Sequence, residues 1–489
     1  MPVTLSLALV AVLADLPASA LQPPYEPTLV RRIVITPAAV PTSAVTDPLL
    51  PPATDRTPGN AALDYLRAFL TVPKQPRLVG DEWDARNKRE EFWRTCPVDR
   101  TPVAELKQEL NPLRASLRWA DRAARRDGCD WQPARPLGPA MVGDLLPELQ
   151  HIREVMGWLR LRAKVELAEG RFADARRTVQ TLFQLGKHVG EGPTLIQSLV
   201  GVAGVAITLG VVDEWNSAPG SPNLYWSLAT LPAPLLDPRP MLAGEMEFQA
   251  GSLPGYAELA AGPVSDARAG ELTRELRQGL DLEDAILGPF RKGKPKPLAT
   301  QAAEWAGGFA TVWQADPARK WLKARGFPAD KMSATQAVFL AAWVRARELN
   351  ELMVTPFLLP PAEGLAARQA AERTVAKVQA EHAADRTFQA LSASATAMAK
   401  VFDAHLRLRR QIAMQQAVQA VRAHLAATGT MPATWADVKV VPVPADPMTG
   451  KPFGYEQKDG VAKVIAPPPA GETPTPSNNL RYELRVKSP

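Results

Sequence analysis

The chain has 489 residues, of which 46% are hydrophobic and 22% are charged, a composition typical of globular domains and too apolar for a disordered chain. The formal net charge of +6 is small for this length. Basic residues form only short clusters, such as Arg407, Arg409 and Arg410, without the interleaved aromatic residues of a nucleic-acid reader. We therefore expect no nucleic-acid partner.

The chain opens with an apolar run from Val3 to Ala14, followed by Ala18-Ser19-Ala20, the small-x-small pattern that a signal peptidase recognises. The run is too short to cross a bilayer, which takes about 20 apolar residues. We predict a signal peptide over residues 1–20, cleaved after Ala20, and a protein of the periplasm or cell envelope or a secreted one. A buried first helix and a retained N-terminal anchor are the alternatives.

The 48 prolines cluster in three stretches of the chain, which mark connectors rather than helix interiors. The first stretch predicts a Pro-rich linker over residues 21–59. Apolar residues at three- and four-residue steps then predict a helical domain over residues 60–428, with a candidate sub-boundary near 291–300.

Gly170, Phe172 and Ala175 lie between two segments with helical periodicity and resemble the turn of one tetratricopeptide repeat. In such a turn the glycine ends the first helix, while the aromatic residue and the alanine let the second helix pack closely. Solenoid repeats bury their faces on neighbouring repeats, so a single unit predicts one antiparallel hairpin inside a larger multi-helix bundle.

Residues Leu199 to Val212 form an uninterrupted apolar or small run of fourteen residues. This is short for a membrane-spanning helix, so we expect no transmembrane helix in the mature chain. We predict the most buried helix of the bundle, with Gly201 and Gly204 on the face that a neighbour approaches closely. Further on, the long run from Leu365 to Thr428 lacks Gly and Pro and predicts two helices, broken near residues 392–396.

Residues 429–489 have the pattern of a small β-containing module packed on helix 400–428. Residues 438–443 (VKVVPV) predict a strand, residues 455–466 a hairpin about Asp-Gly, and residues 480–486 a last strand. The predicted fold is mainly α, a multi-helix bundle with a small C-terminal α+β module and a short antiparallel sheet.

The sequence contains no nucleophile elbow, HExxH pair, EF-hand loop or dinucleotide-binding glycine fingerprint. We therefore predict no catalytic residue and no cofactor. If the protein is an enzyme, Glu245 and Glu247 are the first carboxylates to test. Cys96 and Cys129 are the two cysteines, and a disulfide between them and two separate thiols are both compatible with the sequence.

Several segments resemble a family of uncharacterised exported proteins of planctomycete-type bacteria. They are GEGPTLIQSLVGVA, SPNLYWSLATLP, RRQIAMQQAVQAVRAHLAATGTMPATWADV, VPVPADPMTGKPFGY and LRYEL, spread over residues 190–484. The resemblance implies architecture and export, and no particular reaction.

The helix followed by GTMP and DPMTGKPFGY is also similar to the C-terminal part of type II secretion pseudopilins, where an Asp-Pro turn and an aromatic residue fix a small β layer on the helix. The resemblance implies that Asp446, Gly450, Pro452 and Tyr455 are turn and packing residues, and Asp446 is a weak candidate calcium ligand. The chain lacks the processing site and long apolar helix of a pilin, which argues against filament assembly.

The sequence thus predicts a non-catalytic exported helical protein that serves as a scaffold or binds a protein partner. One alternative is a hydrolase-like enzyme whose site is assembled from scattered helices. Another is an accessory component of a secretion or pilus-like apparatus. The oligomeric state stays open.

Overall fold

The computed structural model describes residues 27–41, 47–73, 80–131, 140–251, 256–272, 315–383 and 386–487. The predicted signal peptide, its cleavage site after Ala20 and the candidate sub-boundary near 291–300 lie outside these residues.

The first part of the described chain combines short strands and helices. These are β1 (Leu29–Ile35), β2 (Thr57–Asn60), α1 (Ala61–Leu70), α2 (Asp81–Thr95), α3 (Val103–Leu110), α4 (Arg114–Ala123) and β3 (Arg126–Gly128). Strands β2 and β3 pair in parallel as a separate two-stranded sheet.

Helices dominate the rest, as predicted. They are α5 (Ala140–Ala168), α6 (Phe172–Gly190), α7 (Leu195–Ser217), α8 (Tyr225–Ala229), α9 (Arg239–Gly251), α10 (Tyr256–Ala261), α11 (Ala315–Lys323), α12 (Ala334–Leu352), α13 (Thr355–Leu358), α14 (Pro361–Glu381) and α15 (Arg386–Thr428). The sequence-based fold class, mainly α with a small C-terminal α+β module, is confirmed.

Helices α5 and α6 form a hairpin whose turn is at Gly170, with a φ of 69° that favours glycine. The Arg171 amide donates to the Glu166 carbonyl at 2.9 Å, which satisfies a carbonyl at the end of α5. Ala175 is fully buried and Phe172 packs at the edge of the main core. The helical hairpin is therefore present, while its likeness to a tetratricopeptide repeat stays a prediction.

The apolar run predicted at residues 199–212 lies inside α7, which packs against α5, α6 and α15. Among the described residues, α7 alone is long and apolar enough to cross a membrane by length and composition, and 72% of its most apolar window is buried inside the protein. The fourteen-residue run is short for a membrane-spanning helix, but the helix itself has 23 residues, so that argument from length was wrong. Its burial against three other helices is what favours a core helix.

Gly201 of α7 lies directly against the backbone of α6. A Cβ atom added to Gly201 would lie 2.2 Å from the Cα atom of Gly190 and 2.7 Å from the Gly186 carbonyl oxygen. The close approach predicted for this face is therefore seen at Gly201. Gly204, on the same face, lies against the flexible end of the Met156 side chain.

We predict that Gly201→Ala destabilises the protein, because backbone cannot move aside as a side chain can. Overpacking of this kind costs about 1–3 kcal/mol. The matched control is Gly210→Ala in the same helix, where an added Cβ meets nothing within 4 Å. Urea unfolding should show a lower midpoint for Gly201→Ala and an unchanged or higher one for Gly210→Ala. Equal midpoints for the two variants would contradict the close contact.

The long segment from Leu365 onward forms two helices, but the predicted position of the break is wrong. Helix α14 ends at Glu381 and α15 begins at Arg386, so residues 392–396 lie within α15. Buried Ser394 donates to the Asn350 side chain at 2.6 Å. This acceptor on α12 is closer than the Leu391 carbonyl of the same helix, which lies 3.5 Å from the hydroxyl, so the serine is accommodated inside α15.

The C-terminal sheet has the strand order β1-β6-β5-β4. Strands β4 (Gly454–Lys458), β5 (Val461–Ala466) and β6 (Leu480–Val486) pair antiparallel, as predicted. Asp459 and Gly460, both with positive φ, form the predicted two-residue hairpin turn. One face of this sheet packs on α15 through Met414, Val418 and Val421.

Residues 438–443 were predicted to be a strand, and this was wrong. Pro442 has no amide to donate to a sheet, and its carbonyl accepts the Tyr225 hydroxyl at 2.6 Å. Val438 and Val441 are buried in a small cluster with Ala420 instead. The segment runs as an irregular connection over the surface of the helices.

The fourth strand comes from the segment predicted as a linker, residues 21–59. Strand β1 pairs in parallel with β6, and its Ile33 and Ile35 are buried in the core between sheet and α15. The prediction missed β1 because Arg31 and Arg32 interrupt its alternating pattern and its partner is the last strand described. The linker assignment is corrected for residues 29–35 and also for residues 57–59, which belong to β2.

Candidate functional site

The N-terminus of α7 carries a buried carboxylate. The Leu195 amide donates to Glu245 Oε1 at 2.7 Å, and Glu245 is only 4% exposed. Thr194 caps the same helix end by accepting from the Gln197 amide. A carboxylate at this position interacts favourably with the free amides and the positive end of the helix dipole. Glu245 therefore acts as a helix cap.

The surroundings of Glu245 disfavour its charged form. Burial raises the pKa of Glu245 to about 7, and the hydrogen bond from the Leu195 amide opposes that rise only in part. Glu245 Oε2 has no hydrogen-bond partner among the residues that the structure describes, whereas Glu247 lies exposed. The two carboxylates that we named as the first to test in an enzyme thus lie in different environments, and the structure does not bring them together.

One turn further along α7, Ser198 contacts a histidine of α15. Ser198 Oγ and His405 Nε2 are 2.7 Å apart, and the two residues are 0% and 8% exposed. Burial lowers the pKa of His405 to about 4, so the imidazole is neutral at pH 7. A serine beside a neutral imidazole is the arrangement of a nucleophile and its base, but here both groups lie in the protein interior.

The pair was missed by sequence reasoning because 207 positions separate its members. A second buried histidine, His188, is held by the Tyr65 hydroxyl at 3.1 Å and by the Gln184 side chain at 2.8 Å. Burial lowers the pKa of His188 to about 3. Both histidines are therefore neutral, hydrogen-bonded core residues at neutral pH.

Asp446, the weak calcium candidate, is bound to an arginine. Its two carboxylate oxygens accept from Arg410 Nε at 3.1 Å and Arg410 Nη2 at 2.7 Å, and both side chains are buried. The Met448 amide donates to the same carboxylate at 3.0 Å. Within the described ranges no group of three His, Cys, Asp or Glu side chains is placed to hold a metal. The geometry supports the turn role of Asp446 and not the calcium role.

The other residues of the predicted turn motif also hold the module together, through backbone turns and hydrogen bonds. Gly450 has a φ of 67° in the turn, and Pro452 forms a bridge with Ala445. The Tyr455 hydroxyl donates to the Pro432 carbonyl at 2.8 Å. These residues are turn and packing residues in the structure.

The two cysteines are separate thiols. Cys96 is buried at the end of α2, where its thiol donates to the Trp93 carbonyl, while Cys129 is half-buried next to β3. Burial raises the pKa of the Cys129 thiol, which makes it a poor nucleophile. The sequence was compatible with a disulfide and with two separate thiols, and the structure has the two separate thiols.

A candidate binding surface lies on the other side of the C-terminal sheet. We define the outer face as the side of strands β1, β6, β5 and β4 that points away from α15. Because partners in register point to the same side, Arg481 of β6 lies between Val30 of β1 and Ile465 of β5. Val30 and Ile465 are half-buried.

Four residues further along β6 the same arrangement recurs. Arg485 lies between Val34 of β1 and Val461 of β5. Val34 is 43% exposed and Val461 is half-buried. A second layer of a sheet protein would cover such apolar side chains, whereas here Val34 is exposed and the other three are partly exposed.

Between these two rows lies a row of charged residues. Glu483 of β6 pairs with Arg32 on one side and with Arg481 on its own strand, and Lys463 of β5 pairs with Glu456 of β4. The outer face thus has one fully charged row between two mixed rows, in each of which an arginine lies between two apolar side chains.

Comparison of the chain with protein-family models, with curated proteins and with solved structures found no match. The resemblances to an exported planctomycete-type family and to pseudopilins therefore stay predictions.

The environment of Glu245 predicts a specific pH dependence of stability. Its pKa is raised in the folded protein from 4.5 to about 7, so the folded state holds this proton more tightly and loses stability as pH rises through that window. The loss is on the order of 3 kcal/mol. Glu245→Gln keeps an oxygen for the Leu195 amide and cannot ionise.

We expect Glu245→Gln to match the wild type near pH 5 and to be the more stable protein at pH 8. The measurement is the free energy of unfolding in urea at several pH values. The control is Glu247→Gln, which should follow the wild type throughout because Glu247 is exposed. A Glu245→Gln variant that is less stable than the wild type at pH 8 would contradict a destabilising buried charge.

Proposed function

We propose that the protein is a non-catalytic, exported helical protein of the cell envelope that binds a protein partner through the outer face of its C-terminal sheet. The observation that supports the proposal is the row of Val34, Arg485 and Val461, where an exposed valine and a half-buried valine flank an exposed arginine. Exposed apolar side chains grouped with polar neighbours are typical of interaction sites.

The buried polar groups support the same proposal through the structural work that they do. Glu245 caps α7, Ser198 supplies the hydrogen bond of His405, and Asp446 neutralises Arg410. These three groups therefore make contacts within the fold. The side chains of the outer face, by contrast, lie at the surface of the described chain.

The proposal predicts a position-specific crosslink. A photoreactive benzoylphenylalanine placed at Val34 should crosslink a protein of the envelope in cells that produce the chain. The matched control is the same residue at Leu352, which is also 43% exposed but lies at the end of α12. A band of defined mass at Val34 and none at Leu352 is the expected result. Equal crosslinking at both positions, or none at either, would rule out a binding site on the outer face.

The export part of the proposal predicts the N-terminus of the mature protein. Sequencing of the protein from fractionated cells should find Leu21 as the first residue, because cleavage after Ala20 follows the small-x-small pattern. The protein should be absent from the cytosolic fraction. An intact Met1 in that fraction would refute export by a cleaved signal.

A hydrolase is the second candidate, and the contact between Ser198 and His405 is the observation that favours it. Acyl transfer requires a substrate carbonyl within reach of the serine hydroxyl. With Ser198 fully buried, helices α7 and α15 would have to separate to admit one. For this reason we favour partner binding over catalysis as the function. The third alternative, an accessory role in a secretion apparatus, is supported by the pseudopilin resemblance alone.

A further inference from the structure

We propose that the partner segment bound by the outer face is an acidic amphipathic helix, one that presents carboxylates next to apolar side chains. The inference rests on the proposed function and specifies the chemistry of the partner. Three properties of the outer face carry it: its charge, the spacing of its apolar side chains and the covering of its opposite side.

The charge of the outer face is positive. Five cationic side chains and two carboxylates point to this side of the sheet, and the carboxylates are already paired with Arg32, Arg481 and Lys463. Arg485 and Lys458 are exposed and pair with no carboxylate in the described part of the chain. A partner with carboxylates complements these two cations and gains electrostatic attraction on approach.

The spacing of the outer face fits a helix. Neighbouring strands lie about 4.8 Å apart, so Val34, Arg485 and Val461 repeat at that interval across three strands. Side chains three or four residues apart on a helix lie about 5–6 Å from each other. A helix that crosses the strands with an apolar, an acidic and an apolar residue at such steps therefore matches this row.

The opposite face of the sheet already packs against one helix. Its inner face is covered by α15, whose Met414, Val418 and Val421 pack on the strands. A sheet with helices on both faces is a common layered architecture, and here only one of the two layers is provided by the described chain. A helix from a partner would supply the second layer.

An anionic membrane and a nucleic acid fit the outer face less well than an acidic protein helix does. The apolar residues Val30, Val34, Val461 and Ile465 are β-branched and shorter than the arginines beside them, so they do not project into a bilayer as aromatic or long apolar residues do. No aromatic residue is present among the side chains of this face, which leaves the bases of a nucleic acid nothing to stack on. A protein helix uses both the valines and the cations.

The test is a binding titration with the full chain. The probe is a fluorescent synthetic helical peptide with Leu at i and i+7 and Glu at i+3 and i+4. Its anisotropy should rise on binding, and replacement of its Glu residues by Gln should weaken binding at least tenfold. The double variant Arg485→Glu, Lys458→Glu should weaken binding of the acidic peptide by a similar factor.

The matched control is the double variant Lys331→Glu, Lys377→Glu, which makes the same change in charge at exposed positions outside the sheet and should bind as the wild type does. Circular dichroism should show that both double variants are folded. Vesicles of phosphatidylcholine with phosphatidylglycerol, and an oligothymidylate, serve as the competing polyanions.

Absence of peptide binding, equal binding of the Glu and Gln peptides, or equal binding by both double variants would overturn the inference. So would tighter binding of the vesicles or the oligonucleotide than of the acidic peptide. If the photoreactive residue at Val34 still crosslinks a protein in that case, only the acidic helix is wrong. If no crosslink forms there, the proposed function itself fails.

Discussion

The structure depends on one buried cation, Arg422 of α15, and on the completeness of its hydrogen bonds. Arg422 is fully buried, and burial lowers its pKa to about 9. The guanidinium donates to the Thr36 carbonyl at 2.9 Å, to the Ser221 hydroxyl at 2.7 Å and to Gln419 Oε1 at 3.0 Å, all of them uncharged acceptors. Arg422 has no counter-ion in the described ranges, and such a buried charge is tolerated only where neutral acceptors satisfy it, so the end of β1, the loop after α7 and helix α15 must assemble together.

A second arginine on the same helix fixes the module from its other side. Arg410 pairs with Asp446 and also donates to the carbonyls of Pro467 and Asn478, so the turn before β4 and the loop before β6 are both tied to α15. Between them the two arginines determine where the sheet lies on the helix. Because both buried arginines need their hydrogen-bond acceptors in fixed positions, the sheet has one orientation on α15. In that orientation the outer face of the sheet points to solvent.

What the sequence could predict was local. The hairpin at Asp459 and Gly460 and the helix end at Gly170 follow from glycine chemistry within a few residues, and the largely buried helix α7 follows from its own apolar run. What it could not predict depended on distant partners. β1 is a strand because β6 covers one of its edges, and Ser394 is tolerated within α15 because Asn350 accepts its hydroxyl. The contact between Ser198 and His405 and the acceptors of Arg422 come from separate parts of the chain, and no local pattern marks them.

The pairing of β1 with β6 has a consequence for the order of events during biosynthesis. β1 precedes every described helix and β6 follows them all, so the ribosome makes one of these neighbours long before the other. Such non-local pairing delays completion of the sheet until β6 has been synthesised. A nascent chain that ends before β6 therefore cannot display the rows of valine and arginine shared by the two strands, and only chains that contain both strands are competent to engage a partner there.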